Sequence, residues 1–253
     1  ESDAKLETQQ AALTILAPEW LLPMTKDNHW LQNHAVIIAD HKIQAILPLE
    51  QAKLDYPQIE ITYLPGQVLM PGFVNAHCHA AMNLLRGLSD DLPLKEWLEK
   101  AIWPVEAKFV DDHFVYQGTL HAAAELLRSG TTCVQDMYFM PDQAARAIQD
   151  VGIRASIGLV VVEFETSWAV NAQACIDKGL DVYEQYRHSP TCSFNLAPHA
   201  TYTVAKETLE KIGSAFKSKL TVFLGELDNE RETRGHLVRN PQLDIQGTYR
   251  LSR

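Results

Sequence analysis

The sequence predicts an α/β protein built on a parallel sheet and preceded by a small all-β segment, and three observations carry that expectation. From Val68 onward, short β-prone apolar runs alternate with helical stretches, the rhythm of βαβ units joined by right-handed crossovers. Before Val68 the apolar runs are separated only by polar, turn-forming residues, which suits antiparallel strands. The junction carries Leu69-Met-Pro-Gly-Phe-Val-Asn-Ala-His-Cys-His79, an apolar run that ends in two histidines one residue apart.

Taken in order, residues 1–12 are polar and expected to fray. Leu13-Thr-Ile-Leu16, Ala35-Val-Ile-Ile38 and Ile43-Gln-Ala-Ile-Leu47 read as antiparallel strands, and Ile59 to Leu64 adds another. Pro65-Gly66 is then expected to break the chain. His29, His34 and His41 lie here and read as surface or turn residues. Asn83 to Lys100 reads as a loop with helical parts. Asp111 or Asp112 can cap a helix running to Arg128, with Gly130 as its stop. Strands are expected over 131–135, 154–162, 193–197 and 220–224, with helices over 142–150, 171–186 and 203–216. Strand ends near 78, 136, 162, 197 and 224 make five βα-type units. Arg231 to Arg253 shows no apolar periodicity.

Composition narrows the function. With 253 residues and 46% hydrophobic content the chain can bury a sizeable core. A net charge of −10 and a pI near 5.4 argue against nucleic acid or an anionic membrane as partner. No apolar run reaches the roughly 18–20 residues of a membrane span, and no secretory leader is evident. The chain begins at Glu1 without Met, so the expectation is that a leader or tag has been removed. Cys78, Cys133, Cys175 and Cys192 are widely spaced, which suits a reducing cytoplasm better than a disulfide scaffold.

In a strand, successive side chains point to opposite faces, so His77 and His79 share one face and Cys78 the other. Two imidazoles on one face at a strand end can hold a divalent metal, although a bare His-x-His is more often a pair of ordinary strand histidines. Here the wider motif, Pro-Gly-Phe-Val-Asn-Ala-His-x-His, is followed in order by Leu85-Arg-Gly87, Trp97-Leu98, Trp103-Pro-Val-Glu106, Gly130-Thr-Thr132, Asp136-Met-Tyr138 and Ala197-Pro-His-Ala200. This series resembles the amidohydrolase superfamily over roughly residues 13 to 222. Within it the match is to the cytosine-deaminase-like branch, which includes triazine chlorohydrolases and methylthioadenosine/S-adenosylhomocysteine deaminases.

The resemblance implies a metal-dependent hydrolase (β/α)8 TIM barrel. Residues 1–67 would be strands of a small β-sandwich, 68–230 the N-terminal part of the barrel, and 231–253 an atypical tail. The stretch after Gln67 is shorter than the ~200 residues that a complete barrel rarely falls below. A partial barrel of about five βα units is therefore expected. Two origins stay open: a C-terminal truncation by frameshift or gene breakage near the fifth strand, or a short paralogue whose tail folds on a partner. Either leaves apolar faces exposed and implies marginal solubility.

The same resemblance implies roles. His77 and His79 become ligands of one divalent metal, zinc first and iron as the alternative. Val222-Phe-Leu-Gly-Glu226 aligns with the family's His-x-x-Glu motif. Glu226 then falls on the catalytic acid, Glu230 on a following acidic position, and Phe223, which has no lone pair, on the third metal ligand. The family's later histidine and aspartate find no counterpart. Glu106 corresponds to the carboxylate that binds ribose hydroxyls, with a solvated surface glutamate as the alternative. His199 corresponds to a substrate-binding histidine. Trp97 and Trp103 either wall an aromatic substrate or pack the core. Asp136 reads as a cap in the loop after its strand.

The implied reaction is hydrolytic deamination of a small-molecule substrate, an aminated purine nucleoside such as methylthioadenosine or S-adenosylhomocysteine. A triazine- or guanine-type hydrolase and a catalytically impaired, partner-binding remnant are the alternatives. The expected setting is the cytoplasm, with a homo-oligomer left open.

Overall fold

The computed structural model describes residues 12–27, 29–215, 221–223 and 248–249, and the chain divides into two units, Glu1–Pro71 and Gly72–Arg253.

Alternation of apolar and polar residues draws the first unit into one sheet. It holds β1 (Leu13–Leu21), β2 (His34–Ala39), β3 (Lys42–Pro48) and β4 (Ile61–Leu69), with helix α1 (Leu49–Asp55) between the last two. The strand order is β3-β2-β1-β4. Residues two apart face the same way, so Ile15 and Ala17 of β1 meet Ala35 and Ile37 of β2 in one core, closed by Ala52 of α1.

Two expectations for this segment are corrected. β1–β2 and β2–β3 are antiparallel, but β4 runs parallel to β1. The reason is α1, which carries the chain back so that β4 enters in the same direction as β1. Nor does Pro65-Gly66 break the strand, because both residues lie inside β4, at the edge of the sheet. An edge strand tolerates a residue without an N–H. Gly66 takes φ 69° at a register shift, and its N–H donates to Glu19 Oε2 at 2.7 Å.

In the second unit, β5 (Phe73–Cys78) leads through a 3₁₀ helix (Ala80–Leu85), α2 (Leu94–Trp97), a π turn (Leu98–Ile102) and α3 (Trp103–Phe109) to α4 (Asp112–Arg128). There follow β6 (Thr131–Tyr138), α5 (Pro141–Val151), β7 (Arg154–Val161), α6 (Ala172–Tyr186), β8 (Cys192–Pro198), α7 (Lys206–Ala215) and β9 (Thr221–Phe223). The strands from β5 to β9 are parallel and lie in sequence order. Helix starts are set locally: Asp111 accepts from the Phe114 N–H at 2.8 Å, and Asn171 from the Ala174 N–H at 2.9 Å. The expected tail departs from a featureless one at β10 (Thr248–Tyr249), which pairs antiparallel with β9. No helix among the described residues is long and apolar enough to cross a membrane.

Register decides which side chains share a face. Cys78, Asp136, Ile157 and Phe194 are successive partners across β5 to β8 and point one way. Their chain neighbours point the other way: the histidines of the motif, Gln135 and Met137, Ser156 and Gly158, Asn195 and Ala197. On that second face Asn195 Nδ2 bridges Gln135 Oε1 and Ser156 Oγ. Next to that polar layer Gly158 leaves no room for a side chain, since a Cβ there would sit 2.8 Å from the Ala197 Cβ. The opposite face buries Ile157, Leu159 and Val161 with Ile148, Cys175 and Ile176 of the covering helices.

Candidate active site

A cleft of about 1090 Å³ opens at the C-terminal ends of the parallel strands. Its lining includes His77, His79, Glu106 and His199, so the structure brings together the four expected residues that it describes. Glu226 and Glu230 lie outside the described residues. Phe223 is the last residue of β9, at the same end of the sheet as the two histidines.

Adjacent backbone fixes the histidine pair. His79 follows the last residue of β5, and its Nδ1 lies 2.6 Å from the Met137 carbonyl oxygen. A carbonyl only accepts, so Nδ1 carries the proton and Nε2 keeps its lone pair. That is the tautomer of a metal-binding imidazole, whose other nitrogen commonly donates to a backbone carbonyl. The His77 ring stands edge-on to it, with centroids 5.1 Å apart. Among the described residues no group of three or more His, Cys, Asp or Glu forms a metal cluster.

Asp136 corrects another expectation. It is not a cap in the loop after its strand but a member of β6, 1% exposed, and its Oδ1 accepts the Ala80 N–H at 2.7 Å. It thus ties down the residue that follows His79. Burial raises its carboxyl pKa, while the Ala80 N–H and the nearby His79 act in the opposite direction. Cys78, on the same face, has its thiol pushed up to about 12 by burial and by the Asp136 charge, which keeps it neutral at ordinary pH.

Glu106 sits on α3, where Tyr138 Oη donates to its Oε1 at 2.7 Å. Burial raises its pKa, opposed by the Tyr138 hydrogen bond and by His79. At the end of β8, the His199 N–H donates to Val161 O at 3.1 Å. The His199 ring Nδ1 lies 2.9 Å from Thr203 Oγ1, which also accepts the Ala200 N–H at 3.0 Å. Trp97 and Trp103 both line the cleft, and Trp103 packs on Phe164 with centroids 6.2 Å apart.

Sequence reasoning missed three supporting groups. Tyr138 stood in a quoted motif without a role, and its place two residues after Asp136 at a strand end was the available signal. The Met137 carbonyl is a backbone atom and leaves no signal. Phe164 lies on the loop after β7, away from any motif.

Parallel strands joined by helices, with an imidazole pair at the strand ends, define a TIM-barrel-type hydrolase fold. Residues 68–233 match the amidohydrolase family, and the chain belongs to that family. It is 43% identical over 198 residues to a 5-methylthioadenosine/S-adenosylhomocysteine deaminase of Saccharophagus degradans, covering 78% of this chain and 44% of that protein. A 5'-deoxyadenosine deaminase of Methanospirillum hungatei is 41% identical over 145 residues, 57% of this chain and 32% of the other. Among solved structures, a zinc-bound adenosine deaminase of Xanthomonas campestris superposes with a TM-score of 0.80 at 35% identity. That match covers 89% of this chain and 52% of the other. The chain thus spans about half the length of the relatives it matches, or less.

Proposed function

We propose that this chain supplies the substrate cleft and two metal ligands of a hydrolase that deaminates an aminated purine nucleoside of the methylthioadenosine or S-adenosylhomocysteine kind. The observation that carries the reading is the convergence of His77, His79, Glu106 and His199 on one cleft at the strand ends. The names of the three similar proteins given above, each a deaminase of an adenine nucleoside, support the same substrate class.

The two described imidazoles fit a divalent cation, because the Met137 carbonyl fixes His79 in the Nδ1-protonated tautomer of a metal-binding imidazole. Zinc is the first choice, with iron as the alternative. When bound, such a cation lowers the pKa of a water from 15.7 towards about 7 and so supplies a nucleophile at neutral pH. The protein's own residues do the rest. Glu106, steadied by Tyr138, accepts hydrogen bonds from the ribose hydroxyls. His199, held by Thr203, orients the base. Trp97 and Trp103 exclude water from the purine. Glu226, three residues beyond the end of β9, would deliver a proton to the ring nitrogen as water adds, and the amino group would leave as ammonia with the remaining proton of that water. In the motif Phe223 aligns with the position of a third imidazole, so metal would be held more weakly than by a complete set.

We read β5 to β9 as the first five strands of a (β/α)8 barrel and the four-stranded unit as part of a small β-sandwich. Cys78, Cys133, Cys175 and Cys192 all occur as free thiols, which favours a reducing cytoplasm. Phe223 also favours the second reading, an impaired fragment that binds without turning over. Zinc titration and a deamination assay over adenosine, methylthioadenosine, S-adenosylhomocysteine, guanine and a chlorotriazine test both. The first reading expects zinc uptake lost in His77→Ala/His79→Ala, and turnover confined to adenine nucleosides. Zinc and nucleoside binding without turnover selects the second. Zinc uptake equal in wild type and double variant, with no nucleoside bound, sinks both.

A further inference from the structure

We infer that the cleft selects 5′-deoxyadenosines whose 5′ group is neutral and apolar, alkylthio groups above all, and discriminates against those ending in an α-amino acid. The inference rests on the nucleoside reading of the cleft given above. Methylthioadenosine and S-adenosylhomocysteine differ only beyond the 5′ sulfur, so the wall next to the ribose site decides between them.

That wall is apolar. Glu106 lies on α3, and Ile102 and Trp103 precede it by one helical turn. Phe164 covers Trp103, while Leu94, Trp97 and Leu98 complete the surface. The one polar atom of Trp97 is engaged, with Nε1 donating to Leu88 O at 2.9 Å. Besides histidine, the charged side chains lining the cleft are Glu106 and Glu165, and among the described lining residues there is no lysine or arginine.

An amino-acid tail brings an ammonium and a carboxylate. Glu165 can meet the ammonium. Among the described lining residues the carboxylate finds no lysine or arginine; it meets hydrocarbon, histidines, the hydroxyls of Thr166, Ser167 and Tyr202, and two carboxyl groups of its own sign. A charge taken from water without an ionic partner is strongly disfavoured. Two neighbouring donors are engaged elsewhere. Thr166 Oγ1 donates to Ala169 O at 3.3 Å and accepts from the N–H groups of Trp168 and Ala169 in its own turn. Lys178 donates to Trp168 O at 2.6 Å and stands over the Trp168 ring. A methylthio group has no charge to satisfy and gains from contact with the same wall.

Titrating the full chain with adenosine, methylthioadenosine, S-adenosylhomocysteine and 5′-n-butylthioadenosine, followed by tryptophan fluorescence, tests this. The butylthio nucleoside matches the homocysteine tail in length but carries no charge. The expected order places methylthio and butylthio nucleosides together, at least about tenfold tighter than S-adenosylhomocysteine. Glu165→Arg is expected to close most of that gap. Equal or tighter binding of S-adenosylhomocysteine overturns the inference. So does butylthioadenosine binding as poorly as S-adenosylhomocysteine, which would assign the preference to size. An unchanged ratio in Glu165→Arg overturns the charge argument. Failure of all four nucleosides, adenosine included, removes the nucleoside reading itself and this inference with it.

Discussion

Replacing Asp136 with alanine is expected to loosen the His-x-His turn and destabilise the second unit, whereas asparagine is expected to do neither. Asp136 Oδ1 accepts the Ala80 N–H at 2.7 Å where both residues are at most 3% exposed, so water does not substitute for the lost acceptor. Stranding a buried N–H costs about 1–3 kcal/mol. Burying the carboxylate is itself unfavourable, as its raised pKa records, so the net loss belongs at the lower end of that range. The effect on metal is larger relative to its cause. Ala80 adjoins His79, whose ring is held only one residue further along β6, by Met137 O. Removal of a supporting partner of this kind weakens metal binding about 10- to 100-fold, and the low end is expected because the Met137 contact remains. Asparagine keeps an oxygen at the same place and removes the charge, so it should retain zinc affinity and match or exceed the wild-type urea midpoint. Urea unfolding and zinc titration of the three proteins decide the matter. Wild-type behaviour of Asp136→Ala in both assays would refute the positioning argument. If asparagine lowers zinc affinity as far as alanine does, the charge matters and not the acceptor.

Tyr138→Phe removes the hydroxyl that donates to Glu106, so the carboxyl pKa should rise further; nucleoside affinity at pH 7 should fall about tenfold or more, given about 1.5–3 kcal/mol for a hydrogen bond to a charged group. Equal affinity of the two proteins in calorimetry would count against Glu106 as the ribose carboxylate. Gly118→Ala in α4 sets two effects against each other. Alanine gains about 1 kcal/mol of helix propensity, but its Cβ would lie 2.6 Å from the Ala81 carbonyl oxygen, and such overpacking costs about 1–3 kcal/mol. Backbone cannot swing aside like a side chain, so a lower thermal midpoint is expected. Cys175 and Cys192 have thiol pKa values raised by burial. Their contribution to stability is complete below the unfolded value of about 8.5 and is lost as pH rises through the folded values. A Cys175→Ala/Cys192→Ala variant should therefore show a flatter decline in urea midpoint above pH 8.5, and a parallel decline would disprove the linkage.

What was legible beforehand follows from how local each signal is. Asp111, one of the two expected caps, announces its helix because the capping bond spans three residues. The direction of β4 was not legible, since it depends on α1, a short helix that buries only Ala52 and so shows no apolar stripe. Pro65-Gly66 misled because the same dipeptide ends an interior strand but is tolerated at an edge, and edge position is a property of the sheet. In the site, His77, His79, Glu106 and His199 were found through motifs. Their supports were not, because the Tyr138–Glu106 contact joins residues 32 apart and the His79 clamp ends on a carbonyl that every residue possesses.

Each strand of the parallel sheet pairs with the strand made just before it, from β5 through to β9. A nascent chain leaving the ribosome can therefore add one strand-helix unit at a time from β5 to β9. The cleft residues arrive in the same sequence, the imidazole pair with β5, Glu106 before β6 and His199 after β8. The exposed party in such a vectorial assembly is β5. It is synthesised first, lies at the end of the sheet, and leaves Phe73 57% and Val74 67% exposed. Among the described strands of this sheet, that flank stays uncovered longest during synthesis.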